Sequence, residues 1–95
     1  MRKPAVYIIA NEKNGTIYTG VTSDIVKRVH QHKEGAFDGF TKKYNCKLLV
    51  FYELHNTMDA AIKRETQIKA GSRKNKLMLI ENMNSEWKDL YDEII

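Results

Sequence analysis

Residues 5–10 read Ala-Val-Tyr-Ile-Ile-Ala, and residues 14–21 read Asn-Gly-Thr-Ile-Tyr-Thr-Gly-Val. Both stretches are rich in β-branched and aromatic side chains, which fit a pleated, half-buried surface. Asn14-Gly15 between them is a strong turn signal, since both residue types accept left-handed backbone at low cost. The pair predicts a β-hairpin with strands at about Ala5–Ala10 and Thr16–Val21, joined by a somewhat long loop.

A two-stranded hairpin is not stable alone, so the rest of the chain must pack on it. Thr22, Ser23 and Asp24 are candidate N-caps for a helix of about ten residues ending near Gly35. Residues 35–45 contain Gly35, Gly39 and aromatic residues, and read as a loop with a turn of helix around Thr41–Tyr44. Lys47–Leu54 is a third strand centred on Leu48-Leu49-Val50-Phe51-Tyr52. From Thr57 to Lys69 the apolar residues Met58, Ala61, Ile62 and Ile68 recur at helical spacing, and Gly71 stops the helix. Ser72 caps another helix through about Met83, with Leu77, Leu79 and Ile80 facing inward. Asn84-Ser85 breaks it, and Trp87–Ile94 forms a last short segment whose Trp87 and Tyr91, four apart, pack it onto the rest. The order β-β-α-β-α-α predicts an α+β fold: a three-stranded antiparallel sheet flanked by helices.

The 95 residues are read as one domain, 1–95, with room for a modest core. Hydrophobic content of 42% and charged content of 29% are ordinary for a soluble globular protein. No apolar run approaches the ~20 residues that span a bilayer, and Met1-Arg2-Lys3-Pro4 leads into a strand rather than a secretory signal. The single cysteine, Cys46, cannot form an internal disulfide. These features point to a cytoplasmic protein with no membrane partner. Glu81, Glu86, Asp89, Asp92 and Glu93 against Lys88 make residues 81–95 net −4, which leaves +8 upstream. That basic part, including Lys27, Lys42, Lys43, Lys69, Arg73 and Lys74, suits phosphate backbones held by counterion release. Lysines that merely keep a small protein soluble are the plain alternative.

Glu65 falls inside the apolar stripe of the Thr57–Lys69 helix, four residues after Ala61, three after Ile62 and three before Ile68. A carboxylate there faces the core or a cleft wall and requires a cation or hydrogen-bond donors. An edge position paired with Lys69 one turn on is the bland account. In the first helix Arg28 and His32 share one face, one turn apart, with Ile25, Val26 and Val29 as the packing side. An arginine held against a sheet suits a phosphate, and a histidine beside it suits proton transfer near neutral pH. Tyr7 and Tyr18, one on each hairpin strand, are packing residues unless they share a cleft with Arg28 and Glu65. Cysteine metal clusters and glycine-rich phosphate cradles are absent. Nothing in the spacing makes Cys46 a nucleophile with His30, His32 or His55.

Taken together, the arrangement resembles the GIY-YIG nuclease superfamily, specifically its small stand-alone bacterial members. Ala5-Val6-Tyr7 stands at the first signature tripeptide and Tyr18-Thr19-Gly20 at the second. Arg28 stands at the family arginine, with His32 at the histidine one turn later. Glu65, in Lys63-Arg64-Glu65-Thr66-Gln67-Ile68-Lys69, matches the metal-binding glutamate, and Asn84 matches the terminal asparagine. Gly39-Phe40-Thr41-Lys42-Lys43-Tyr44 lies between them. Ala5, Val6 and Thr19 depart from the name-giving tripeptides and leave both hydroxyls in place. Val21 stands where some relatives carry lysine, Gly71 where an aromatic is common, and Ser85 where many have proline.

The resemblance implies an endonuclease that hydrolyses DNA phosphodiesters with one divalent cation, Mg²⁺ or Mn²⁺. It is expected to be structure-directed and weakly sequence-specific, with DNA repair or recombination as candidate settings and RNA open as a substrate. Glu65 would be the protein's metal ligand, waters and phosphate oxygens completing an octahedron. Arg28 would hold the scissile phosphate. One tyrosine, with Tyr7 preferred, would position or deprotonate the water, Tyr18 would contact phosphate or a metal-bound water, and His32 would assist proton movement. Asn84 would orient Glu65 or a phosphate. Two alternatives stand beside this: a nucleic-acid-binding module with the nuclease fold and little or no cleavage, and an interaction subunit docking a basic partner through its acidic end.

Overall fold

The computed structural model describes residues 3–37 and 39–95. The elements are β1 (Ala5–Ala10), β2 (Ile17–Thr22), α1 (Ile25–Lys33), α2 (Phe40–Lys43), β3 (Leu48–Leu54), α3 (Met58–Ala70), α4 (Arg73–Met83) and α5 (Tyr91–Ile94). The strands form one antiparallel sheet in the order β2-β1-β3. The expected α+β architecture is the observed one.

All six residues of β1 are buried, because this central strand is covered on both faces. Ala5, Tyr7 and Ile9 face α1 and α5, packing with Ile25, Val29, Leu49, Leu90 and Ile94. Val6, Ile8 and Ala10 face α3 and α4, packing with Val50, Ala61, Ile68, Ile80 and Trp87. The period-two alternation of a strand thus feeds two cores from one hexapeptide. A bulge in β3 leaves Val50 unmatched, since Ile8 pairs with Phe51 and Ile9 with Leu49. It lets the consecutive residues Val50 and Phe51 lie on the same face.

Strand β2 starts one residue later than expected. Thr16 closes the loop instead: its N–H donates to Asn11 Oδ1 at 2.8 Å and its carbonyl accepts from Asn11 N at 3.2 Å. Asn14, rather than Gly15, takes the left-handed backbone, with φ 59°. Asp24 and Ser72 cap α1 and α4 as expected, accepting from the N–H of Lys27 and Asn75, and Thr57, read as the start of its helix, caps α3 by accepting from the N–H of Ala60.

Two packing expectations are corrected. Ile62 is 45% exposed, so the inward stripe of α3 runs through Ala61, Glu65 and Ile68. Trp87 lies outside any helix, with φ 57°, and packs on the α3 side while Tyr91 packs on the α1 side. Between these two aromatics the chain crosses the outer edge of β3. There Leu90 N–H donates to the Leu49 carbonyl at 2.7 Å and Asp89 accepts from Leu49 N–H at 3.1 Å. The acidic C-terminal segment therefore shields one sheet edge. The other edge, β2, carries the site.

Candidate active site

Tyr7 pairs directly with Gly20 across the β1–β2 ladder. A Cβ on Gly20 would lie 2.4 Å from both Cζ and the hydroxyl oxygen of Tyr7. The tyrosine ring therefore lies across the backbone of edge strand β2, in space that only glycine leaves open. Tyr18, opposite Ile9, stands partly buried on the same face.

Helix α1 brings the next two groups. The ring of His32 is nearly enclosed, with centroids 5.8 Å from Tyr7, 6.0 Å from Tyr18 and 4.9 Å from Phe37. Its Nε2 lies 3.0 Å from the Tyr7 hydroxyl, and its Nδ1 is buried with no hydrogen-bond partner in the protein. The Arg28 guanidinium carbon is 5.3 Å from the Phe37 ring centre. Tyr7, Tyr18, Arg28 and His32, with Phe37, Phe40 and Thr41, line a pocket of about 280 Å³.

Glu65 comes from α3, on the opposite face of the sheet. Its side chain is 16% exposed, and one carboxylate oxygen accepts from Lys69 Nζ at 3.0 Å. The Lys69 ammonium is in turn 5.9 Å from the centre of the Tyr18 ring. The inward-facing position and the Lys69 pair, both considered for Glu65, are thus present together, while Glu65 is not among the residues that line the pocket of Tyr7, Arg28 and His32.

The electrostatics of the pocket favour neutral groups. Burial pushes the Tyr7 hydroxyl up to about 12, with the charges of Tyr18 and Glu65 adding to the rise and Arg28, as donor and as cation, opposing it. Burial also lowers His32 below its ordinary value, and the nearby Arg28 charge pushes the same way. At neutral pH the pair is a phenol beside an uncharged imidazole. When the imidazole proton is on Nδ1, Tyr7 donates to Nε2; in the other tautomer Nε2–H donates to Tyr7.

Asn84 is not brought to this pocket. It is buried at the outer edge of β3, where its Nδ2 donates to the carbonyls of Val50, at 3.2 Å, and Lys88, at 2.7 Å. Its Oδ1 accepts from Lys88 N–H at 3.0 Å. The amide satisfies the carbonyl of the bulged Val50 and closes α4, so it has nothing left to orient Glu65. Arg73 is also engaged, donating to the carbonyls of Asn14, at 3.3 Å, and Gly15, at 2.7 Å, in the hairpin loop. Lys27 is exposed beside Arg28 in an adjoining polar hollow, and Lys69 is committed to Glu65. Lys42 and Lys43 are exposed on α2 and Lys74 on α4. Sequence reasoning assigned no role to Phe37, Phe40 or Gly20. The signal was present as aromatics spaced among the glycines of residues 35–45.

A model of the GIY-YIG catalytic domain matches residues 3–78. The chain belongs to the GIY-YIG family. A UPF0213 protein of Staphylococcus saprophyticus is 41% identical over 80 residues, which are 84% of this chain and 96% of that relative. A UPF0213 protein of Staphylococcus aureus is 38% identical over 76 residues, 80% of this chain and 92% of that one. Among solved structures, the solution structure of a UPF0213 protein from Bacillus halodurans superposes with a TM-score of 0.57 at 26% identity, covering 92% of each chain. Membership of this nuclease family implies a nucleic-acid substrate. The two tripeptides that resemble the family signature, Ala5-Val6-Tyr7 and Tyr18-Thr19-Gly20, lie on β1 and β2, and their last residues, Tyr7 and Gly20, are the pair that sets the ring across the sheet edge. Among the described residues no helix is long and apolar enough to cross a membrane.

Proposed function

We propose that this protein is a divalent-metal-dependent endonuclease that cleaves DNA, guided by structure rather than sequence. The observation that carries the reading is the 3.0 Å bond between Tyr7 and His32 inside a pocket that also holds Arg28. A phenol bonded to a neutral imidazole and flanked by a guanidinium is a proton relay next to a phosphate grip. Packing alone does not call for that combination.

The donor set around Glu65 bears on the cation. No cluster of three or more His, Cys, Asp or Glu occurs among the described residues, which argues against a caged transition metal. A single hard carboxylate already facing a cation, the Lys69 ammonium, fits Mg²⁺ or Mn²⁺, which keep most of their ligands as water and phosphate oxygen. Glu65 would hold that ion, which when bound would neutralise charge on the phosphate and lower the pKa of a bound water.

The chain's own residues do the rest. Arg28 pairs with non-bridging oxygens of the scissile phosphate and compensates the charge that builds up there. As water attacks phosphorus, the Tyr7 oxygen takes the water proton and passes its own proton to Nε2 of His32. The P–O bond to the leaving sugar oxygen breaks, and that oxygen takes up a proton from solvent. Imidazolium at His32 is disfavoured by burial and by Arg28, so the proton is returned quickly. Tyr18 closes the pocket beside the phosphate, and Phe37 braces Arg28.

The test is incubation of the purified protein with single-stranded, duplex and branched DNA in Mg²⁺, Mn²⁺ or EDTA, with Glu65→Gln alongside. Cleavage is expected only with metal, and Glu65→Gln should fold and bind DNA while losing cleavage by orders of magnitude, since the metal's charge stabilisation is worth several kcal/mol. A folded Glu65→Gln that cuts as fast as the parent, or a parent that binds without cutting, defeats the proposal.

A further inference from the structure

Phe40, which lines the pocket, is 47% exposed, and Tyr44 is 41% exposed. Their rings are 4.8 Å apart between centres, and Phe40 is 6.2 Å from Tyr18. Tyr18, Phe40 and Tyr44 thus form a line of rings leading from the candidate active site into solvent. Phe40 opens helix α2 and Tyr44 is its C-cap, and neither belongs to either core. Exposed aromatics in a row, next to a site for phosphate, are poorly explained as packing.

We propose that Phe40, flanked by Tyr44 at 50° between ring planes, forms an open stacking platform for an unpaired nucleobase next to the scissile phosphate, an inference that rests on the endonuclease reading above. Continuity supports it: Tyr18 and Phe40 line the active-site pocket and also a neighbouring hollow of about 360 Å³ that Lys69 and Lys76 border. Charge supports it as well, because the Lys43 ammonium lies 5.4 Å from the Tyr44 ring centre. A strand whose phosphate rests on Arg28 would place a neighbouring base over the Phe40 ring and further phosphates near the lysines. Aromatic faces accept any base, and Lys or Arg beside them track the backbone. A base paired in a duplex is already stacked on both sides, so the platform selects an unpaired one.

The experiment uses single-stranded oligonucleotides in EDTA, with 2-aminopurine placed at successive positions around the bond that is cut when metal is present. Binding to the parent should quench the fluorescence at one or two positions next to that bond. Replacing that base by an abasic site should weaken binding about ten- to hundredfold. In Phe40→Leu the quench should vanish and the abasic penalty should disappear, because the partner ring is gone. The abasic arm leaves the protein unaltered, so a folding defect in the variant cannot mimic the result. A parent that binds and cuts but shows neither quench nor abasic penalty overturns the platform and leaves the endonuclease reading intact. A parent that neither binds nor cuts any DNA removes both.

Discussion

Tyr7 and Gly20 face each other across the β1–β2 ladder so closely that a Cβ on Gly20 would sit 2.4 Å from the tyrosine hydroxyl oxygen. Gly20→Ala therefore has to push the ring aside or part the strands, and either displaces the hydroxyl from His32. The expected outcome is a folded protein less stable by about 1–3 kcal/mol, with cleavage reduced ~100-fold or more because a 1 Å misplacement has that effect. Urea denaturation and single-turnover cleavage measure the two separately. Unchanged cleavage in Gly20→Ala would show that Tyr7 does not act where it lies.

Lys69 competes with any cation for Glu65, since its ammonium is 3.0 Å from the carboxylate. In the absence of DNA, Lys69→Met should tighten Mn²⁺ binding about two- to fivefold, the worth of an ion pair of ~0.5–1 kcal/mol. Titration calorimetry reads this directly, with Glu65→Gln as the variant that should bind no ion. Equal Mn²⁺ affinity in the parent and Lys69→Met would mean that the ion does not reach Glu65.

His32 makes stability depend on pH with a defined sign. Its pKa in the folded state is lowered by burial and by Arg28, so below pH 6.5 the unfolded chain binds a proton that the folded chain refuses. Stability from this residue is therefore complete above pH 6.5 and falls as the solution is acidified, levelling off below the folded-state value. His32→Asn should flatten that part of the profile, by at most about 1.4 kcal/mol per pH unit. Urea midpoints of parent and variant from pH 8 to 5 would show it. Parallel profiles would count against a buried neutral imidazole.

Tyr7 sets the alkaline side. Its hydroxyl is held at about 12, above the ordinary 10, so between those values the folded chain keeps a proton that the unfolded chain loses. Stability falls as pH rises through that window. Spectrophotometric titration should show a late tyrosinate step that disappears in Tyr7→Phe. Its persistence in the variant would assign the step to another tyrosine.

Asn84 behaves as a structural residue in this fold. Asn84→Ala removes three hydrogen bonds and leaves the Val50 carbonyl unpaired in a buried place. The expected loss is about 2–4 kcal/mol, with cleavage per folded molecule unchanged. Metal affinity or cleavage that drops while stability holds would return Asn84 to the site.

The hairpin, the third strand and the caps at Asp24 and Ser72 were legible in the chain, because propensity, period and turn chemistry act over a few residues. The misplaced charge of Glu65 was legible for the same reason: a helical period marks which side of α3 it takes. Ile62 was misread because Ala61 and Ile62 both fit a helical stripe, and only the packing of α3 on the sheet decides which of them faces inward.

Pairings distant in sequence were beyond that reach. Tyr7 and His32 are 25 residues apart, and their bond exists because α1 lies over the face on which Tyr7 points. The bulge at Val50, created by strand register, supplies the carbonyl that Asn84 answers and keeps that amide at the far edge of the sheet from Tyr7. The sequence by itself determined the elements and the family signature, since both are written in local order. Which polar groups distant in sequence meet was decided by tertiary structure, since register, bulge and helix placement bring them together and limit unpaired buried groups over the whole molecule at once.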